Sequence, residues 1–265
     1  MDGLTARMEQ SAGSRPAVCD LTVVIPALNE EGNIGQTLEK VAAYLGSHGT
    51  AYEVIVVDDG STDRTASVVR AAARRDPLIQ LLASQHLGKG GAIRQGVSAA
   101  RGRYVLFMDA DYSTRIEEWV QCASWLSDGF DVVIGSRKMP GAVVKVRQHP
   151  LREGMGKGFT WLVNRWLGTR VSDVTCGFKC FTAEAAHGIF GFQRVNGWGF
   201  DAEILFLARR LGFRLKEIPV MWANDATTNV RLARDATRSF LELVHIRCSA
   251  WRGRYPRMTR DKRGT

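Results

Sequence analysis

Cysteine is scarce in this sequence, and its spacing matches neither a metal site nor a disulfide framework. Five cysteines are scattered over 265 residues, and no C-x-x-C pair occurs. Their number is odd, and no pair of histidines stands at zinc-finger spacing. These features argue against a disulfide-stabilised secreted domain and against a zinc finger. We expect reduced, buried thiols in a cytoplasmic protein.

Long hydrophobic runs are absent as well. No stretch of about 18 apolar residues occurs, so no segment is expected to span a bilayer. Residues 1–20 contain no apolar core of a secretory signal, and we expect a flexible polar tail there. The chain is 45% hydrophobic and 24% charged, which is ordinary for a globular domain with a sizeable core.

Acidic residues are too few to balance the basic residues of the C-terminal segment. The formal net charge is +9, and residues 231–265 hold ten Lys or Arg against three acidic residues. The pattern predicts an amphipathic helix over residues 231–250, with an apolar side made of Leu232, Ala236, Phe240, Leu243 and Val244. Such a helix either lies on an anionic membrane surface or packs on its own domain, and the sequence leaves both open.

Short apolar runs alternate with helical patterns in the first half of the chain. The runs that predict buried strands lie at residues 21–26, 53–57, 78–83, 104–108 and 131–136. Strands that alternate with helices imply right-handed crossovers and a mostly parallel sheet covered on both faces. Beyond residue 140 we expect a loop in MPGAVVKVRQHP, helices in GMGKGFTWLVNRWLG and FDAEILFLARRLGF, and a strand in RLKEIPVMW.

Loops that contain acidic residues follow three of the predicted strands. The first strand ends in PALNEE, the second in DDGSTD and the fourth in DAD, residues 109–111. Because ligands of parallel sheets bind beyond the carboxyl ends of the strands, these side chains should share one edge. Gathered carboxylates repel one another unless a cation joins them, and Mg²⁺ or Mn²⁺ takes oxygen ligands and brings substrate phosphates with it. The pattern predicts a metal-bound diphosphate at Asp109 and Asp111.

A glycine-rich stretch, GKGGAIRQG, follows the third predicted strand. It matches neither a Walker A motif nor the G-x-G-x-x-G fingerprint. It still offers backbone N–H groups and a helix N-terminus to an anion, and Lys89 adds a positive charge. The alternative is a plain turn between a strand and a helix.

Taken in order, these motifs resemble a family 2 glycosyltransferase with a GT-A fold, a Rossmann-like α/β fold with a mostly parallel sheet flanked by helices. The matching stretches are VVIPALNEEGNI, VIVVDDGSTDRT, GKGGAIRQG, VLFMDADYST, VIGSR, DVTCGFKCF and GWGFDAEILFLARRLGFRLKEIPVMW. The last two resemble, more narrowly, the polyprenyl-phosphate hexosyltransferases, which include dolichyl-phosphate glucosyltransferases and mannose synthases. The resemblance implies a GT-A domain over residues 21–230 and a basic helix and tail over residues 231–265.

The resemblance also implies roles for the matching residues. The residues expected to bind the nucleotide sugar are Pro26, Leu28, Glu30, Val57, Asp58, Asp59, Lys89, Asp109 and Ala110. Those expected to act in catalysis are Asp111, Asp201 and Arg137, and the metal ligands are Asp109 and Asp111. The acceptor phosphate is expected to contact Arg137, Arg152 and Arg231.

One stretch departs from the family pattern. Members of this branch often have S-K-V or S-K-L shortly after the E-I-P-V-x-W strand, whereas this chain reads Thr228-Asn229-Val230. The expected cation is missing at Asn229, and Arg231 is the candidate to replace it. This departure concerns acceptor-phosphate binding rather than the fold.

The resemblance implies an inverting, Mg²⁺- or Mn²⁺-dependent transfer of a hexose from a UDP- or GDP-sugar to a polyprenyl phosphate. TCGFK and GWGFD resemble the glucosyl branch more than the mannosyl branch, so glucose is favoured. The enzyme is expected on the cytoplasmic face of a membrane, attached peripherally through its basic C-terminal helix. Alternatives are an enzyme with a soluble or polysaccharide acceptor and a non-catalytic nucleotide-sugar binding module. Nucleic acid is not an expected partner, because no recognition module accompanies the basic tail.

Overall fold

The fold is organised around a seven-stranded sheet in a computed structural model that describes residues 17–146, 150–223 and 232–256. Side chains are described in these ranges except at residues 150–152 and 232–237. The strands of the sheet are β1 (Cys19–Ala27), β2 (Tyr52–Asp58), β3 (Ile79–Ala83), β4 (Gly102–Met108), β5 (Val132–Ser136), β7 (Phe178–Thr182) and β8 (Leu215–Pro219). A separate two-stranded sheet pairs β6 (Val143–Val146) with β9 (Met221–Ala223).

The order of strands in the sheet is β3-β2-β1-β4-β7-β5-β8. All neighbouring pairs are parallel except those that β7 makes, since β7 runs antiparallel between β4 and β5. The five strands predicted from the first half of the sequence are all present, and the predicted mostly parallel sheet is confirmed. The start of β7 therefore lies at the same edge as the carboxyl ends of the other strands, with Phe178 opposite Met108.

Helices cover both faces of the sheet. They are α1 (Ile34–Ser47), α2 (Thr65–Arg75), α3 (Lys89–Ala99), α4 (Trp119–Ser127), α5 (Pro150–Leu167), α6 (Ala183–Phe192), α7 (Phe200–Arg210) and α8 (Leu232–Trp251). Helices α1, α2 and α4 share one hydrophobic core with one face of the sheet, and α3 and α5–α8 share the other. Successive side chains of β4 show the division, because Leu106 packs in the first core and Phe107 in the second. A strand buried on both faces reads as a continuous apolar run, which is how the central strands read in the sequence.

Two features of the second half differ from the sequence-based expectation. The segment MPGAVVKVRQHP was expected to be a loop, but residues Val143–Val146 form β6, whose side chains are largely exposed. The apolar stretch AVVKV at residues 142–146 is short and interrupted by Lys145, so it resembles a loop as much as a strand. The predicted strand in RLKEIPVMW is two strands, since β8 ends at Pro219 in the main sheet and β9 begins at Met221 in the small one.

Helix α8 packs on α5 and α7, and its buried side differs from the one expected. Leu243 and Ile246 are fully buried in the core, whereas Phe240, expected on the same side as Leu243, is 43% exposed. Beyond the helix, the hydroxyl of buried Tyr255 donates a hydrogen bond to Glu203 of α7. Among the described helices, none has the length and hydrophobicity needed to cross a bilayer. The predicted boundary at residue 231 lies outside the described residues.

We predict that replacing Leu243 by alanine lowers the free energy of unfolding by about 2–5 kcal/mol, because a cavity would remain in the core. Leu241, on the same helix, is 61% exposed, and Leu241→Ala should change it by no more than about 0.5 kcal/mol. Urea unfolding of the full chain measures both. A negligible loss for Leu243→Ala would contradict the assignment of α8 to the core.

Candidate active site

The loops after β1 and β2 are joined by hydrogen bonds at the carboxyl edge of the sheet. The backbone N–H of Asn29 donates to Ser61 Oγ at 2.9 Å, and that of Glu30 donates to Thr65 Oγ1 at 2.8 Å. Asn29 adopts φ 57°, a left-handed conformation that asparagine tolerates better than most residues. PALNEE and DDGSTD therefore form one joined wall beside the DAD segment after β4, as the sequence predicted for these three loops.

The carboxylates of Asp58 and Asp59, the first two of the DDGSTD segment, accept hydrogen bonds from backbone amides at the same edge. Asp58 Oδ1 accepts a hydrogen bond from the N–H of Ser61 at 3.0 Å. Asp59 accepts one from Leu87 at 2.6 Å and one from Gly88 at 2.8 Å. Asp59, only 3% exposed, thereby fixes the loop that leads into α3. This loop is the start of the glycine-rich stretch, and the sequence did not reveal its contact with Asp59.

Lys89 forms an ion pair with the first carboxylate of the DAD segment. Its Nζ lies 2.6 Å from Asp109 Oδ1, and the two side chains are 19% and 32% exposed. Burial alone would lower the pKa of Lys89, but the charges of Asp109, Asp201 and Asp111 raise it above its ordinary value. A methyl group at Gly177 would overlap the Asp109 carboxylate, so this close approach of the β7 loop requires glycine. Lys89 therefore remains charged and neutralises part of the acidic edge.

Asp111 is the less neutralised carboxylate of the pair. Its Oδ1 accepts a hydrogen bond from the N–H of Ser113 at 2.9 Å. Burial and the neighbouring charge of Asp109 raise its pKa above the usual range, although Ser113 and Lys89 oppose the shift. A nearby cation would stabilise the ionised form of a carboxylate whose pKa is raised in this way.

A buried lysine lies directly beneath this site. Lys179 of β7 is fully buried, and its Nζ contacts Asp201 Oδ1 and the carbonyl oxygen of Cys176, both at 2.6 Å. Burial raises the pKa of Asp201 more than Lys179 and Lys89 lower it. The sequence singled out Asp201 but not Lys179. The feature that could have identified Lys179 was a single lysine within the apolar run FKCF. Asp201 is thus held in an ion pair at the start of α7.

Arg137 is held by Asp173, a buried acid that the sequence did not single out. Its Nε and Nη2 bind the two oxygens of Asp173 at 2.7 and 2.8 Å, and Nη2 also donates to Thr175 Oγ1 at 2.9 Å. Burial would raise the pKa of Asp173, but its hydrogen bonds and ion pair with Arg137 hold it well below its usual range. Arg137 therefore has a structural partner, and removing its side chain would leave the buried charge of Asp173 facing Lys138 Nζ at the longer distance of 3.7 Å.

Several predicted site residues offer little side chain to a ligand, and others lie outside the described residues. The side chain of Val57 is fully buried in the core, and Ala110 is 4% exposed, with its carbonyl oxygen accepting a hydrogen bond from Thr37 Oγ1. Leu28 is 37% exposed at the edge, and Pro26 is half-buried in β1. The backbone of Arg152 lies in α5 but its side chain is outside the described residues, as are Arg231 and Asn229.

The residues present fit a divalent ion that shares its coordination with a substrate. Within the described residues, no group of three or more His, Cys, Asp or Glu side chains could hold a metal ion. Asp109 and Asp111 together supply two carboxylates, and Asp109 already binds Lys89 through one oxygen. Mg²⁺ is commonly bound by one or two carboxylates together with substrate phosphates and water. The donor set fits that arrangement and does not fit a complete protein cage.

Comparison with known proteins agrees with this geometry. The model of the family described as glycosyl transferase family 2 matches residues 22–190. A dolichyl-phosphate beta-glucosyltransferase of Trichomonas vaginalis is 34% identical over 242 residues, covering 87% of this chain and 72% of that protein. The dolichyl-phosphate beta-glucosyltransferase of Saccharomyces cerevisiae is 33% identical over 254 residues, covering 89% and 76%.

A solved structure shows the same fold at lower sequence identity. Glucosyl-3-phosphoglycerate synthase from Mycobacterium tuberculosis, crystallised with Mn²⁺, UDP and glucosyl-3-phosphoglycerate, superimposes with a TM-score of 0.63 at 21% identity. The match covers 88% of this chain and 81% of that protein. With the mostly parallel sheet and the acidic loops on one edge, these matches show that the chain belongs to glycosyl transferase family 2 and has a GT-A fold.

Proposed function

We propose that this glycosyltransferase transfers glucose, with inversion, from a nucleotide diphosphate sugar to a polyprenyl phosphate of the dolichyl type. The observation that supports the chemistry is the pair Asp109 and Asp111 beside Lys89 at the carboxyl edge of the sheet. Support for the sugar and the acceptor comes from the names of relatives that are 33–34% identical over most of their length.

On the donor side, the described residues can bind and orient a diphosphate. Asp109 and Asp111 would hold Mg²⁺ or Mn²⁺, which supplies charge stabilisation for the leaving diphosphate. Lys89 lies against Asp109, so its ammonium group would face the same diphosphate. As the bond between the anomeric carbon and the diphosphate breaks, negative charge accumulates on the diphosphate, and cations fixed in advance stabilise it most effectively.

On the acceptor side, the proposed reaction needs no strong general base. A phosphate monoester has its second pKa near 6, so an acceptor phosphate is largely a dianion at neutral pH. Its oxygen can form the new bond to the anomeric carbon without losing a proton. Asp201, the candidate base for a hydroxyl acceptor, is engaged with the ammonium group of Lys179 at 2.6 Å. The proposed contacts of the acceptor phosphate are Arg137, Arg152 and Arg231.

We propose that the exposed side of α8 contacts the membrane that holds the lipid acceptor. Phe240, Val244, Arg247 and Trp251 recur at spacings of four, three and four residues, which places them along one stripe of the helix. Phe240 is 43% exposed and Trp251 is 75% exposed, and the guanidinium of Arg247 lies 5.4 Å from the Trp251 ring. Aromatic and basic side chains on one face are typical of helices that lie in a bilayer interface. That this is the cytoplasmic face stays a prediction.

The central test incubates the enzyme with Mn²⁺, a polyprenyl phosphate and labelled UDP-glucose, UDP-galactose, GDP-mannose or GDP-glucose. We expect label from a glucose donor in the organic phase as a mild-acid-labile lipid. Label in water-soluble glycosides or polysaccharide would favour the alternative acceptor class. Binding of a sugar nucleotide without any transfer would favour the non-catalytic module.

We predict that Asp111→Asn lowers kcat at least about a hundredfold, because one carboxylate of the proposed metal site is lost. The same change should leave the melting temperature equal or higher at neutral pH. Burial and Asp109 raise the pKa of Asp111, so its ionised form is less stable in the folded chain than in the unfolded one. Steady-state kinetics and thermal unfolding measure the two effects. An unchanged kcat would exclude Asp111 as a metal ligand.

We predict that the double variant Phe240→Ala/Trp251→Ala weakens partitioning onto anionic phospholipid vesicles roughly tenfold, since two apolar side chains would no longer enter the interface. Val120→Ala is the control, because Val120 is 57% exposed on α4, across the sheet from α8. Vesicle flotation measures the bound fraction. Equal binding of the double variant and the control would remove α8 from the membrane contact.

A further inference from the structure

Glu242 connects the C-terminal helix to the candidate active site. On α8, it lies on neither the exposed stripe nor the centre of the buried side, and its side chain is 16% exposed. Its Oε2 accepts a hydrogen bond from the backbone N–H of Gly199 at 2.7 Å, and its Oε1 lies 3.4 Å from Arg238 Nε. Gly199 immediately precedes α7. A carboxylate from α8 therefore fixes the loop that leads into the helix bearing Asp201.

The loop is shaped to admit this carboxylate. A methyl group added at Gly197 would overlap the carboxylate of Glu242, and one added at Gly199 would lie 2.8 Å from its Oε2. Neither glycine has a positive φ, so their conformations do not require glycine. At both positions, a side chain larger than that of glycine would displace the Glu242 carboxylate.

The opposite side of the same loop contacts the donor site. The carbonyl oxygen of Asn196 accepts hydrogen bonds from the N–H groups of Gly90 at 2.8 Å and Gly91 at 3.2 Å, both in the first turn of α3. Between these anchor points, Trp198 is 39% exposed, and its ring centroid lies 5.2 Å from Lys89 Nζ. Lys89 is in turn paired with Asp109. Glu242, the 196–199 loop and Lys89 thus form one continuous chain of contacts.

We propose that Glu242 is a positioning residue for the donor site: it holds the 196–199 loop so that Trp198 and Lys89 keep their places beside Asp109. This inference rests on the proposed function, in which Lys89 faces the donor diphosphate. Glu242 itself touches no reacting atom. A small displacement of groups in an active site can lower the rate about a hundredfold. Loss of the hydrogen bond from Gly199 to Glu242 should therefore weaken donor binding and slow turnover, although Glu242 lies on a distant helix.

The test compares Glu242→Ala, Glu242→Asp and Glu242→Gln in the full chain by calorimetric titration with UDP-glucose and Mn²⁺, alongside kcat. We expect Glu242→Ala to weaken donor binding roughly ten- to a hundredfold. Glu242→Gln should stay close to the wild type, since its amide oxygen can still accept from Gly199. Glu242→Asp, which shortens the side chain, should fall between them and serves as the reporter if the alanine variant does not fold. Glu39→Ala, which removes an exposed glutamate of α1 across the sheet, is the control and should bind as the wild type does.

A double-variant cycle with Trp198→Ala distinguishes positioning from a general loss of stability. If Glu242 acts through the loop, Glu242→Ala should weaken donor binding much less when Trp198 is already alanine. Full additivity, or a lowered melting temperature with unchanged donor affinity, would overturn the inference. If the wild type binds no sugar nucleotide, the proposed function fails instead, so the two failures are distinguishable.

Discussion

The ion pair between Lys89 and Asp109 is the interaction on which the rest of the site depends. The sequence suggested that only a divalent ion could make the acidic edge tolerable. The structure instead gives these carboxylates fixed partners, since Asp109 has Lys89 and Asp59 has two backbone amides. The charge that remains for a metal is concentrated at Asp111 and the second oxygen of Asp109. We therefore expect such a site to bind a metal weakly by itself and to favour a metal that arrives with phosphate oxygens.

Two further ion pairs hold the elements around this centre in register. Lys179 joins β7 to the start of α7 through Asp201, and Arg137 joins the end of β5 to Asp173, in the segment before β7. Buried ion pairs contribute little net stability, because desolvation offsets their attraction, but breaking one is costly. Each pair therefore favours the arrangement in which its two segments meet at this edge of the sheet. We propose that their role here is to fix the positions of the polar groups around the candidate active site.

Most of the fold could be predicted, because alternating strands and helices leave a local pattern. Strand β7 was missed because FKCFT contains a lysine whose charge is paired by Asp201, 22 residues further along the chain. The buried side of α8 was misjudged because apolar residues occupy both sides of that helix, and spacing alone does not show which side meets the core. The DAD segment was found because both carboxylates follow a strand directly. Lys179, Asp173 and Glu242 were not found, since the partners that connect them to the site, Asp201, Arg137 and Gly199, are 22 to 43 residues away in sequence.

The central claim is that Asp109 and Asp111 hold a divalent ion jointly with a diphosphate and not alone. Titration of Mn²⁺ followed by electron paramagnetic resonance, with and without saturating UDP or GDP, tests it most directly. We expect weak binding of Mn²⁺ by the protein alone and at least about tenfold tighter binding with one of the nucleotides, with the reciprocal effect of Mn²⁺ on nucleotide affinity. Equal affinity for Mn²⁺ in the presence and absence of either nucleotide would contradict the account.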